Sequence, residues 1–271
     1  MTGALACGCA ASLTDLQPAK TVPAHHLDVT VSVQGTPPSG LPGRTLDDVE
    51  RADAVTDPLS DAEIRQLAEA ASGVVVAPPS VDALFALTYG VTDRFELRAR
   101  AGLTNFGGTA RVLFLRTAVG VYGSIGVTGL FGFASFPIER YTDRVHARRE
   151  RRNEIALPLL FGYSSAHAHA HVWAGPKLAF THFDSRFDVC LDVLCSRKGK
   201  GRVSGWARYY GGQIGAAVGG PRVWFALEMS LSRVHPTTTA RVTQTGDAPI
   251  MVRYERKGRV FVPALGIITG F

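Results

Sequence analysis

From His26 to Gln34 apolar and polar residues alternate one by one. Leu27, Val29, Val31 and Val33 fall on one side; His26, Asp28, Thr30, Ser32 and Gln34 fall on the other. Strict period two predicts a strand with one apolar and one wet face. The alternation returns at Val81–Tyr89 and at Phe95–Ala101, and Gly90-Val91-Thr92-Asp93-Arg94 between them reads as a hairpin turn. Further strands are expected at 109–115, 119–133, 154–163, 167–181, 204–218, 223–231 and 260–271. Residues 117–138 carry no charge and are long enough for a transmembrane helix. Gly120, Gly123, Gly126, Gly129 and Gly132 recur through them, however, and each weakens a helix interior by roughly 1 kcal/mol against alanine, so a strand is the better reading. The pattern as a whole predicts about ten antiparallel strands.

Between the first two strands, residues 35–79 break the alternation with Pro37-Pro38, Pro42-Gly43 and Pro78-Pro79. Within them Ser60-Asp61-Ala62-Glu63 is a capping box, followed by Ile64, Leu67, Ala68 and Ala71 at helical spacing. One short amphipathic helix in a long loop is expected. The remaining connections alternate, short near 90–94, 116–118, 164–166 and 219–222 and long at 134–153, 182–203 and 232–259, except that the one after the third strand, 104–108, breaks the rule. Antiparallel strands with short turns at one end and long loops at the other predict an all-β, closed, up-and-down barrel over 26–271, with 35–79 as a loop insertion and 10–25 as a linker.

Composition agrees with short strands and turns. The 271 residues are 46% hydrophobic and 19% charged, with 29 glycines and 15 prolines. The net charge is +6, and Arg140, Arg144, Arg148, Arg149, Arg151 and Arg152 crowd one stretch that falls in a predicted long loop. No nucleic-acid motif accompanies them. On the polar strand faces lie Asp28, Asp82, Glu96, Glu154 and Glu228 against Arg98, Arg100, Arg111 and Lys177, close to balance. Charges inside a small barrel must pair, so a polar, plugged lumen is expected rather than an open channel. His167, His169 and His171 alternate along one strand. Neighbours about 7 Å apart can share one metal ion, but no further ligands are evident, and no metal or cofactor is expected. Ser230, Ser232, His169 and Glu228 supply the residue types of a hydrolase without the spacing of one, so no enzyme is expected. Cys190 and Cys195, five residues apart, are either a disulfide, which belongs to an oxidising compartment, or two free thiols.

Three stretches carry a resemblance to small bacterial outer-membrane β-barrel proteins. They are the alternation over 26–271, the turn Tyr89-Gly-Val-Thr-Asp-Arg-Phe-Glu-Leu97, and the closing segment in which Phe261, Leu265, Ile267 and Phe271 alternate to a terminal aromatic. Thr269 and Pro263 depart from that closing pattern. The start, Ala4-Leu5-Ala6-Cys7-Gly8-Cys9, resembles the end of a lipoprotein-type signal over 1–9, with Cys9 or Cys7 acylated. The resemblance implies residence in the bacterial outer membrane and recognition of the strand ending in Phe271 by the insertion machinery. It also implies an aromatic girdle from Tyr89, Phe95, Tyr163, Phe225 and Phe271. Arginine grips phosphate in a fork, so Arg148, Arg149, Arg151 and Arg152 are expected on lipid phosphate and lipopolysaccharide. The alternatives are a pore for small solutes, a soluble lipocalin-like barrel that binds an apolar ligand, and a barrel-type lipid hydrolase.

Overall fold

In a computed structural model the chain is described over residues 13–53, 59–133, 142, 144–165, 169–192, 195–220, 222–244 and 248–270. Its strands are β1 (Leu27–Thr36), β2 (Ser80–Thr92), β3 (Phe95–Gly102), β4 (Asn105–Arg116), β5 (Val121–Gly132), β6 (Val145–Ser164), β7 (Ala170–Cys190), β8 (Lys198–Gly219), β9 (Val223–Thr243), β10 (Ile250–Tyr254) and β11 (Gly258–Gly270). Each pairs antiparallel with its neighbours, and β1 pairs with both β2 and β11, closing the ring. β10 and β11 meet β9 in one continuous register, Tyr254 opposite Thr238 and Gly258 opposite Val234. They are one stave interrupted at 255–257, so the barrel closes on ten staves.

The two halves of the barrel have unlike walls. In the lower half, which ends at the short turns, the outward residues are apolar: Phe85, Leu97, Ile125, Ile155, Phe225, Leu227 and Leu265 are all exposed. Tyr89, Tyr163 and Phe225 of the expected girdle face outward there. Towards the other end β6–β9 continue for 20 to 22 residues, where β2–β5 have 8 to 13. In these extensions the alternation changes its meaning. Phe183, Phe187, Val203 and Val242 turn inward and are buried, while Arg186, Arg202 and Arg241 face out.

That reversal corrects the loops expected at 134–153, 182–203 and 232–259. Their described parts are mostly strand: β6 starts at Val145, β7 runs to Cys190, β8 starts at Lys198, β9 runs to Thr243, and β10 lies within the last. A search for apolar residues on the outward face stops where that face becomes polar, although the period of two persists. The strand expected at 119–133 is β5, not a helix.

The insertion between β1 and β2 holds two helices rather than one: α1 (Leu41–Asp53) and α2 (Asp61–Val76). Pro42 reads as a breaker by sequence, yet it sits in the first turn of α1, where its missing N–H costs no hydrogen bond. The capping box forms, with Ser60 and Glu63 exchanging side-chain-to-backbone bonds. α2 lies inside the upper barrel: Ile64, Leu67, Ala71 and Val74 join Phe183, Phe187, Val203, Val242 and Val252 in one buried cluster. Gly73 permits the close approach of α1, because a Cβ there would stand 2.1 Å from Thr45 Cγ2 and 2.9 Å from the Tyr254 hydroxyl.

Candidate functional site

The chemistry gathers in the lumen. Asp82, Glu96, Arg98, Arg100, Glu154 and Glu228 all point inward and are buried, with Arg111 and Lys177 beside them. Arg111 pairs with Glu96 directly, whereas Arg100 and Lys177 are joined through a carboxylate from outside the strands. The segment 13–22, expected in a linker, threads the lower barrel and completes the network. It enters at the short-turn end, where the Thr21 hydroxyl donates to Asp93 O and His25 N to Gly90 O. Gly90 is needed there, since a Cβ would lie 2.0 Å from Pro23 O. Deeper in, Val22 N donates to Glu96 (2.8 Å), and Arg111 holds Glu96 at 2.7 Å while donating to the carbonyls of Pro18 and Lys20. Asp15 lies at mid-barrel between Arg100 (2.6 Å) and Lys177 (2.8 Å), and its N–H donates to Glu228 (2.9 Å). Glu228 also accepts from Trp173 Nε1, and the Ser230 hydroxyl donates to Leu13 O. Leu13 then joins the apolar cluster around α2. Two pieces of its own chain, segment 13–22 and α2, thus occupy the lumen.

Sequence reasoning missed Asp15 because its flanking residues fit neither template. Leu13, Leu16, Ala19 and Val22 recur every third position, a spacing of neither helix nor strand. All four are buried. Leu16 takes a left-handed backbone (φ 44°), which an unpacked leucine would avoid.

Beside residues 16–23 of the segment a cavity of about 840 Å³ opens at the short-turn mouth. Leu16, Trp224 and Ile268 line it together with Lys20, Asp28 and Arg98. Arg98 Nε and His171 Nδ1 are buried there without a hydrogen-bond partner among the described residues. His171 packs edge-on against Trp224.

The other candidates are not assembled. His169 sits at the exposed turn before β7, beside Gly219 O, while His171 is buried on β7, and His167 lies outside the described residues. Ser230 and Glu228 are held by segment 13–22, away from His169, and no hydrolytic trio forms among them. The group of possible metal ligands found among the described residues is His146 with Cys190 and Cys195, and those two sulfurs are joined in a disulfide. Cys7, Cys9 and Phe271 lie outside the described residues. Arg152 corrects its expected place on lipid phosphate. It points inward and is buried, donating to the carbonyl of Val76 (2.8 Å) and lying near the Tyr209 hydroxyl and over the Phe183 ring. Arg148, Arg149 and Arg151 are exposed on the outside of β6, and Arg148 is paired with Asp188.

No protein-family model matches the chain, and no curated protein matches it. Among solved structures it is similar to the outer membrane protein OprG from Pseudomonas aeruginosa, with 13% identity over 94% of this chain and 99% of that one, at a TM-score of 0.37. It is also similar to a major outer membrane protein from Thermus thermophilus, with 10% identity over 90% and 99% and a TM-score of 0.33. A third is the outer membrane protease OmpT from Escherichia coli, with 9% identity over 91% and 96% and a TM-score of 0.30. Likeness of this size leaves the function of the chain to its own residues.

Proposed function

We propose that the chain is a barrel of the bacterial outer membrane that its own segment 13–22 and helix α2 keep shut, with a structural or surface-interaction role rather than that of an open pore. The observation that carries this reading is the opposed partition of the lower wall. Leucine, isoleucine and phenylalanine stand outward around the ring, and Glu96, Arg111, Asp15 and Lys177 are sealed inside. In water a continuous apolar belt of this kind is an aggregation surface, whereas in lipid it needs no partner. The closed ring leaves no unpaired sheet edge, as a membrane requires. A soluble lipocalin-like barrel needs the reverse arrangement, which this chain shows only in its upper half.

The test is fractionation followed by electrophoresis without boiling. The chain is expected with the outer membrane, and its folded form should run faster than the boiled form. Recovery in the detergent-free soluble fraction would overturn the reading. In planar bilayers the parent is expected to show no steady conductance, and a stable open channel would favour the pore instead.

A further inference from the structure

On the outside of the upper barrel four arginines stand side by side. Arg149 of β6 is opposite Arg186 of β7, Arg186 is opposite Arg202 of β8, and Arg202 is opposite Arg241 of β9. All four are exposed. Adjacent strands lie about 4.8 Å apart, so the row spans roughly 14 Å of the wall. Like charges directly opposite one another destabilise a strand pair, and a sheet face that merely meets water has no cause to gather them. The wall supplies too few counter-charges. Its described acids on β7 and β10 and just beyond are few: Asp184 pairs with Arg202 and also attracts Arg186, Asp188 pairs with Arg148, Glu255 with Arg253, and Asp192 accepts from Ser196 and Arg197 N. Arg149, Arg186 and Arg241 make no ion pair among the described residues.

The height of the row narrows the choice of anion. Four residues below it on β7 and β8, His182 and Trp206 stack with their rings 4.8 Å apart, and the outward apolar residues Phe180 and Ile155 follow. At about 3.3 Å per residue and a strand tilt near 40°, the row stands roughly 10 Å above that aromatic level. The headgroup layer of an ordinary bilayer is only about 5–8 Å thick on each side. Phosphates borne on a saccharide headgroup reach higher. We propose that Arg149, Arg186, Arg202 and Arg241 form a docking row for the phosphate groups of a phosphorylated glycolipid, lipopolysaccharide, in the leaflet on the side of α1 and α2. This rests on the outer-membrane reading above. Guanidinium forks take phosphate oxygens two at a time, and the charge persists at any physiological pH.

The test compares the purified barrel with its R149Q/R186Q/R241Q variant, leaving Arg202 on Asp184. Binding is titrated across a salt series against lipopolysaccharide micelles, dephosphorylated lipopolysaccharide, phosphatidylglycerol vesicles and inorganic phosphate. Losing three exposed contacts together should weaken lipopolysaccharide binding by roughly tenfold and flatten its salt dependence. Dephosphorylated lipid should bind parent and variant alike. Equal affinity and equal salt dependence of the two proteins for lipopolysaccharide would overturn the proposal. So would phosphatidylglycerol binding as tight as that of lipopolysaccharide, or full competition by inorganic phosphate, which would mark a site for a free anion. The variant's mobility on unboiled gels reads its folding separately, as the parent's reads the membrane assignment. If the glutamine variant fails to fold, R149K/R186K/R241K keeps the charge without the fork and should still bind several-fold more weakly; parental affinity in that variant would also overturn the proposal.

Discussion

The carboxylate of Asp15 is shared between Arg100 and Lys177 at mid-barrel, and its backbone N–H is held by Glu228. Removing one partner of such a buried group strands the others and costs about 3–5 kcal/mol while the surroundings stay in place. The cheaper response open to this molecule is for segment 13–22 to leave and for water to hydrate Arg100 and Lys177. Asp15→Ala is therefore expected to make that segment protease-sensitive and to give steady conductance in planar bilayers. A silent bilayer with the segment still protected would mean that Leu13, Leu16 and Val22 hold it without the charge. The six lumen residues Asp82, Glu96, Arg98, Arg100, Glu154 and Glu228 were legible in the sequence because strand phase alone places them inward. Asp15 was not, since its placement depends on contacts more than eighty residues away in the chain.

Among the elements, α2 is the one whose start is written locally and whose position is not. Ser60 and Glu63 fix its first turn, but what it packs against is the inner wall of β7–β10. The hydroxyl of Tyr209 donates to Val76 O at 2.6 Å and ties the end of α2 to β8. Ser60→Ala should lower helix stability by about 1 kcal/mol through the lost cap. Gly73→Val should do more, because its Cβ would collide with Thr45 on α1 and meet Tyr254 on β10. Hydrogen exchange is expected to quicken over 61–76 in both variants, most in Gly73→Val, and to leave β2–β5 unchanged. Equal protection in parent and Gly73→Val would show that the α1–α2 contact does not hold the helix in the barrel. α1 escaped the sequence reading because Pro42-Gly43 looks the same in a loop and in a helix's first turn.

As a whole the molecule presents a lipid-type wall below and a soluble-type wall above, on the same strands. Leu227 lies in the middle of the lower belt and Thr239 on the outer face of the upper wall, both on β9. An arginine at the middle of a membrane belt costs about 2–4 kcal/mol, and one beyond it costs little. Leu227→Arg should thus destabilise the liposome-embedded barrel against urea by that amount, and Thr239→Arg by a small fraction of it; equal effects would refute the two-walled arrangement. The sequence by itself determined the strands of the lower belt, the ten-stave barrel, the capping box and the inward charges, because each follows from period two or from a turn of local chain. Only the tertiary structure decided that the polar-out stretches of β6–β9 are wall rather than loop, for alternation has no sign until the solvent on each side is known. It alone placed segment 13–22 and α2 inside the lumen and set four arginines in one row. Those arrangements join residues far apart in the chain, and no local pattern records which distant surface a segment will bury itself against.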